Sequence, residues 1–138
     1  MNNYDKLKGI INEVDNLIFK KVTSSSPDFT AWKTKTERFL INEYGSDSYE
    51  INEFRKMHFS LSMFTTATPD SEFVDACKRG LERAKAVLNT YLEELVENRK
   101  KENTVDAYMK LQYEFHGIMM IQRISIFTNF LSTVPLAL

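Results

Sequence analysis

Residues 69–98 read PDSEFVDACKRGLERAKAVLNTYLEELVEN, the longest amphipathic pattern in the chain. Its apolar side chains recur every three or four positions, as they do on one face of an α-helix. The members of this stripe are Phe73, Cys77, Leu81, Ala84, Leu88, Tyr91, Leu92 and Leu95. Thr68-Pro69 precedes the stripe, and proline in the first turn is typical of a helix start. The pattern predicts one long central helix over about residues 69–98.

Two shorter helices are predicted upstream. An amphipathic stripe over residues 4–22 indicates the first, and Ser26 followed by Pro27 indicates the start of the second. The second helix should end near Tyr44, because Gly45 can adopt the left-handed backbone that stops a helix. The stripe positions of these two helices are Leu7, Ile10, Ile11, Val14, Leu17, Ile18, Val22, Phe29, Trp32, Thr36, Phe39 and Leu40.

A third short helix is predicted between the second helix and the long one. Asp47 or Ser48 should cap it, and Ile51, Phe54 and His58 should form its buried side. A connection rich in Ser and Thr should then lead to the long helix. The side chains that we expect to share one core are Trp32, Phe39, Leu81, Leu88 and Leu92.

The sequence beyond residue 96 is less regular. The charged run over residues 97–103 is expected to form a loop, with Thr104 capping the next element of the fold. Apolar side chains at 109, 111, 113 and 115 alternate with polar ones, as in a strand, whereas Leu111, Phe115 and Ile118 also keep helical spacing. We favour a helix over residues 105–125 and keep a β-hairpin as the alternative, because a lone hairpin is marginally stable. The expected fold is mainly α, a single-domain bundle of about five helices over residues 1–138.

Composition limits the class of protein. The chain has 138 residues, 43% hydrophobic and 12% aromatic, which suits a folded domain rather than a disordered chain. Eighteen basic and nineteen acidic side chains leave a net charge of -1, so the overall charge does not favour nucleic acid. Cys77 is the only cysteine, which excludes an internal disulfide and suggests a reducing compartment. Without a signal-peptide pattern or a continuous apolar span, we expect a cytoplasmic protein with no membrane segment.

No residue pattern indicates catalysis, a cofactor or a metal. His58 and His116 are the only histidines and belong to no metal-binding motif. The four glycines are isolated, so neither a P-loop nor a dinucleotide fingerprint is present. Cys77 lies on the apolar stripe and is expected to be a buried, unreactive thiol. We therefore predict that the chain is not an enzyme and that it has no cofactor or metal site.

Gly80 stands inside the predicted long helix, where glycine costs about 1 kcal/mol relative to alanine. A glycine at such a position usually has a packing reason. We therefore expect another element of the fold to pack closely against this turn of the helix.

Basic side chains form two groups, which are the candidates for contact with nucleic acid. Asp75 and Glu82 lie three or four residues from cations of the second group and can pair with them on a solvated face. Nucleic-acid binding is therefore kept as an alternative that the sequence does not favour. The candidate residues are Lys33, Lys35, Lys78, Arg79 and Arg83.

The end of the sequence is more apolar than a chain end normally leaves in water. We expect its apolar side chains to be buried against a protein partner, most simply a second copy of the chain. The predicted partner-binding residues are Phe127, Phe130, Leu131, Val134, Leu136 and Leu138.

Several short motifs carry a resemblance to a known helical module. They are Phe29-x-x-Trp32, Thr36-x-Arg38-Phe39-Leu40, Tyr44-Gly45-x-Asp47-Ser48, Phe54, Phe59-Ser60, Phe73-x-x-Ala76-Cys77-x-x-Gly80-Leu81-x-x-Ala84-Lys85-Ala86 and Tyr91-Leu92-Glu93-Glu94-Leu95. The region over residues 10–95 resembles a module common in bacteria and their mobile elements. This module occurs as short proteins and at the N-terminus of proteins with TIR-type or other anti-phage defence domains. Residues 104–138 would form a C-terminal extension of it.

The resemblance implies a non-enzymatic protein-interaction module of a bacterial defence or mobile-element system, with a homodimer or another protein as its complex. A first alternative is a phage- or mobile-element-encoded inhibitor that sterically blocks a host defence nuclease, such as an RNA-guided CRISPR effector. A second alternative is a small regulator that binds nucleic acid.

Overall fold

The protein is mainly α-helical. The computed structural model describes residues 1–133, and the side chains of residues 1–116. Contacts between residues divide the chain into two units, Met1–Val96 and Glu97–Leu138. The four helices of the described residues are α1 (Asn3–Phe19), α2 (Pro27–Tyr44), α3 (Tyr49–Arg55) and α4 (Asp70–Thr133). The predicted mainly α fold is confirmed, whereas the predicted number of about five helices is wrong.

Helix α4 continues through the segment that we predicted to be a loop. Residues 97–103 are helical and exposed, and they contain neither Gly nor Pro. Most of them are Glu, Lys or Arg, which lose little side-chain freedom in a helix. Thr104 does not cap a new helix, because its hydroxyl donates to the Lys100 carbonyl oxygen at 2.8 Å, within the same helix. The polar run therefore marks an exposed part of α4 rather than its end.

The alternative of a C-terminal β-hairpin is wrong over the described residues, because residues 105–125 lie within α4. The favoured helix is thus confirmed there. One internal contact reflects helical spacing: the Gln112 side-chain amide donates to the Tyr108 hydroxyl at 2.9 Å, four positions away. The alternation of apolar and polar residues arises because a broad apolar helix face includes every second position for a short distance.

Helix α1 ends three residues before the predicted position, at Phe19. Lys21 then adopts a positive φ of 55°, and its N–H donates to the Ile18 carbonyl at 3.1 Å. The Val22 N–H donates to the Leu17 carbonyl at 3.4 Å, which completes a Schellman motif. Leu17 and Val22 are both buried in the core. The sequence predicted burial of Val22 correctly, but the reason is this turn rather than continued helix.

Helix α2 has the predicted bounds. Pro27 is its first residue and Ser26 its N-cap, although the Ser26 hydroxyl accepts from the Thr23 N–H at 2.9 Å instead of capping α2. Gly45 terminates the helix, and its N–H donates to the Ile41 carbonyl at 2.9 Å. Gly45 has φ 104° and ψ 158°. This extended backbone with positive φ is essentially restricted to glycine, so the helix end depends on the missing side chain.

Helix α3 is capped as predicted, because the Ser48 hydroxyl accepts from the Ile51 N–H at 3.3 Å. Ile51 and Phe54 are fully buried. The predicted burial of His58 is wrong, since α3 ends at Arg55 and the next residues no longer keep helical spacing. Met57 and Phe59 are buried in its place.

Trp32 lies at the centre of the core of the first unit and is 1% exposed. Its ring centroid lies 6.0 Å from that of Phe29, 5.9 Å from Phe54 and 6.1 Å from Phe59. The indole N–H donates to the Ile10 carbonyl oxygen of α1 at 3.0 Å. The predicted shared core is confirmed: Phe39, Leu81 and Leu88 are buried in the same cluster, and Leu92 is partly buried against it.

Gly80 allows α4 to approach the segment after α3, as predicted. A Cβ atom at Gly80 would lie 2.6 Å from Phe59 Cδ1 and 3.1 Å from Phe59 Cα, and it would also meet the His58 carbonyl oxygen. The first of these distances is well inside van der Waals contact. Glycine is therefore needed here because the backbone of another segment occupies the place of a side chain.

We expect Trp32→Ala to lower the free energy of unfolding by about 3 to 5 kcal/mol, because it removes a large buried side chain and its hydrogen bond to the Ile10 carbonyl. Urea unfolding followed by circular dichroism measures this change. Phe19→Ala is the control, since Phe19 is 87% exposed and its loss should change stability by less than about 0.5 kcal/mol. Equal stability of Trp32→Ala and wild type would contradict the central position of Trp32.

We expect Gly80→Ala to destabilise the protein by roughly 1 to 3 kcal/mol, because the added methyl group overlaps Phe59. The matched control is Gly9→Ala in α1, where nothing lies within 4 Å of the new Cβ. That substitution should stabilise by up to about 1 kcal/mol through helix propensity alone. Thermal unfolding of both variants tests the contrast, and a stabilising Gly80→Ala would refute the close approach.

Candidate interaction surface

The second half of α4 exposes a group of large apolar side chains. Every residue from 97 to 116 is exposed. Exposure of the large apolar side chains in this stretch runs from 54% at Val105 to 84% at Tyr113. We call these side chains the 105–115 face; its members are Val105, Tyr108, Met109, Leu111, Tyr113 and Phe115.

The 105–115 face is separated from the charged side chains of the same stretch. Successive residues of an α-helix are rotated by about 100°, so residues four apart lie nearly above one another. Asp106, Lys110 and Glu114 have this spacing and form one charged stripe. The six apolar side chains occupy the remaining broad arc, with Gln112 near its middle. This part of α4 is therefore strongly amphipathic although it is exposed on all sides.

Other exposed large apolar side chains among the described residues do not form a comparable group. They lie singly or in pairs and include Phe19, Tyr49, Met63 and Phe64. Phe64 packs edge-on against Phe73, with ring centroids 5.4 Å apart. Scattered exposed apolar residues are normal on protein surfaces, whereas a contiguous group marks a contact site. The 105–115 face is thus the strongest candidate for an interaction surface.

The basic residues of α2 that were predicted to contact nucleic acid lie in different grooves. Lys33 Nζ lies 5.9 Å from the ring centroid of Phe59 and lines a cavity of about 440 Å³ that includes His58. Lys35 Nζ pairs with Glu13 Oε1 of α1 at 2.7 Å. The two lysines therefore do not act together, and one of them is already paired.

The basic residues of α4 remain accessible. Lys78, Arg79 and Arg83 are exposed on the part of α4 that belongs to the first unit. Arg83 lines a small cavity of about 260 Å³ together with Lys56 and Glu53 of the α3 region. Since a carboxylate shares that cavity, its charge is mixed rather than purely basic. Binding of nucleic acid by these residues stays a prediction that no contact of the structure tests.

A groove of about 880 Å³ lies between α1 and α2. Gly9 and Ala31 contribute to its lining, which leaves room between the helices. Its charged lining residues balance, three acidic against three basic: Asp5, Glu13, Glu43, Lys6, Lys35 and Arg38. Ion pairing within the lining, such as Lys35 with Glu13, satisfies part of this charge. The groove therefore shows no preference for an anionic or a cationic ligand.

The titratable groups with shifted pKa values are buried or partly buried, and they are protonated at neutral pH. Burial raises the pKa of the Cys77 thiol to about 11, and burial together with Glu43, Glu50 and Glu94 raises that of Tyr44 to about 12. Burial also raises the pKa of Tyr91, whose hydroxyl donates to Glu53 at 2.8 Å. None of these groups has the lowered pKa of an activated nucleophile.

Among the side chains of residues 1–116, no three of His, Cys, Asp or Glu are arranged to hold a metal ion. His58 and His116 are both exposed.

The predicted partner-binding residues lie outside the residues whose side chains the structure describes; they are Phe127, Phe130, Leu131, Val134, Leu136 and Leu138. Sequence reasoning did not identify the 105–115 face as a contact surface. The sequence nevertheless contains the pattern that indicates this face. Large apolar residues stand beside charged residues that recur every four positions.

We expect Cys77 to react slowly with a thiol reagent at pH 8 in the folded protein, because it is fully buried and its raised pKa lowers the fraction of thiolate. Unfolding in denaturant should raise the rate strongly. Absorbance of the released reagent group measures both rates. The control is Lys110→Cys, whose added thiol lies on the exposed charged side of α4 and should react fast in the folded protein. Equal rates for Cys77 in both states would contradict its burial.

No family model, curated protein or solved structure matches this chain. None of the helices in the described part of the chain is both long enough and apolar enough to cross a membrane.

Proposed function

We propose that the chain is a non-enzymatic protein-interaction module that presents the 105–115 face to a protein partner. The observation that supports this function is the exposure of six large apolar side chains on one helix of the described residues. A contiguous apolar surface of this kind is costly in water unless a partner covers it. Binding of a protein is the function that explains its presence.

The residue types of the 105–115 face favour a protein partner over nucleic acid. Aromatic residues and Met are enriched in the cores of protein interfaces, and here they are Tyr108, Met109, Tyr113 and Phe115. Binding to phosphates requires Lys or Arg, and the face contains neither. Among the charged residues beside it, two of three are acidic. A nucleic acid would therefore meet repulsion more often than attraction.

A membrane surface fits this face less well than a protein does. Helices that lie on membranes carry an excess of Lys and Arg on their polar side, which attracts anionic lipid. The charged stripe beside the 105–115 face has Lys110 between Asp106 and Glu114, a net negative stripe. Its charge therefore opposes an anionic surface, whereas a protein partner has no such requirement.

The biological setting is proposed from the resemblance of residues 10–95 to a module of bacterial defence and mobile-element proteins. In that setting the first unit, Met1–Val96, supplies a stable folded base, and α4 carries the binding face. The partner would be the product of a neighbouring gene. An inhibitor of a host defence nuclease would use the same surface, so recovery of such a nuclease would favour that alternative.

We expect Phe115→Glu to weaken binding to a partner encoded by a neighbouring gene by about 2 kcal/mol, or roughly thirtyfold in Kd, because it places a charge within an apolar contact. Lys110→Glu is the matched control, with the same new residue on the charged stripe of the same helix. Co-purification of the tagged chain with its gene neighbours, followed by calorimetry, measures the effect. Equal binding by both variants would refute the 105–115 face as the contact site.

A further inference from the structure

We infer that the partner of the 105–115 face is a second copy of this chain, so that two α4 helices pair through the same face. This inference rests on the proposed function, since it names the partner for the same surface. Three features of the described residues support it: the area of the face, its lack of charge, and the absence of packing along residues 97–116.

The area of the face matches what a stable dimer needs. An aromatic side chain buries roughly 150 to 250 Å² when fully covered, so the three aromatic members at their present exposure offer roughly 300 to 500 Å² per copy, to which Val105, Met109 and Leu111 add. A standard protein interface buries about 800 Å² on each partner. Pairing of two copies would therefore bury an area of the order that a stable interface needs.

The face also meets the requirement of two-fold symmetry, which places the same patch on both sides of the interface. A charged patch would repel its own copy, whereas the six members of this face are uncharged. Gln112 lies near the middle of the arc, and its amide is both donor and acceptor. Two such amides can therefore bond to each other across the axis, as polar residues do at the centre of paired helices.

The stability of α4 requires a partner that is always present. An isolated helix is marginally stable in water, and most helices in proteins are stabilised by the packing of an apolar face. Every side chain from 97 to 116 is exposed, so α4 has no such packing over this stretch. A second copy is available wherever the chain itself is made. Pairing of copies therefore explains how the helix persists.

The first test is the mass of the full purified chain in solution, measured by light scattering over a range of concentrations. We expect twice the chain mass of 16.1 kDa for the wild type. Phe115→Glu should have the mass of one chain at the same concentration, with Trp32 fluorescence unchanged because the core of the first unit is intact. Lys110→Glu should keep the dimer mass.

The second test is cross-linking with a short bis-maleimide. Gln112→Cys places a thiol in the middle of the face, and we expect a cross-linked dimer as its main product. Lys110→Cys is the matched control, because two positions along a helix correspond to about 200° of rotation. It should give little dimer. The native Cys77 is buried and its pKa is raised, so it contributes little background.

The outcomes separate this inference from the proposed function. A wild type of monomer mass at every concentration overturns the pairing of copies, while binding of a gene neighbour through the 105–115 face would still support the proposed function. A dimer that survives Phe115→Glu also overturns the inference, because its interface lies elsewhere. If the dimer is lost only in Phe115→Glu, the pairing of copies is supported. If, in addition, no gene neighbour binds, binding of a neighbour-encoded protein is removed from the proposed function.

Discussion

The hydrogen bond from the Trp32 indole to the Ile10 carbonyl is the interaction on which the first unit depends. It fixes α2 against α1, and the same ring contacts Phe54 and Phe59 from the region after α2. A buried indole needs a partner for its N–H, and a helix carbonyl that also accepts within its own helix supplies one. Because one side chain contacts three segments, the packing of α1 on α2 also determines the position of α3.

The approach of α4 to this core is set by Gly80. Phe59 belongs to the ring cluster around Trp32, and the same Phe59 occupies the space where a side chain at position 80 would lie. The cluster and the glycine therefore form one continuous contact from α1 to α4. An ion pair between Lys85 and Asp15 at 2.8 Å joins the same two helices at the surface. Such exposed pairs contribute about 1 kcal/mol or less, so packing at Gly80 dominates.

Local signals predicted most of the first unit from the sequence. Ser26, Pro27 and Gly45 determine the ends of α2 through backbone geometry alone, and the structure has the same ends. The wrong predictions concern residues whose conformation or burial depends on tertiary structure. Residues 97–103 lack an apolar stripe and so resembled a loop, whereas they are an exposed stretch of α4. His58 was predicted to be buried because it continues the helical spacing of α3, but the helix ends at Arg55. The 105–115 face was missed because periodicity reveals an apolar side but not whether anything covers it.

The contrast within α4 bears on function more than any single residue does. Cys77, Leu81 and Leu88 have no exposed surface, because the core of the first unit covers them. The 105–115 face has a comparable apolar character and is open. Burial of one large apolar side chain contributes about 1.5 to 3 kcal/mol. The free energy that burial of all six members of the 105–115 face would contribute is therefore comparable with the stability of a whole small domain. The charged stripe lies on the opposite side of the same helix. A surface that combines this stripe with an open apolar face is suited to a defined partner rather than to unspecific aggregation.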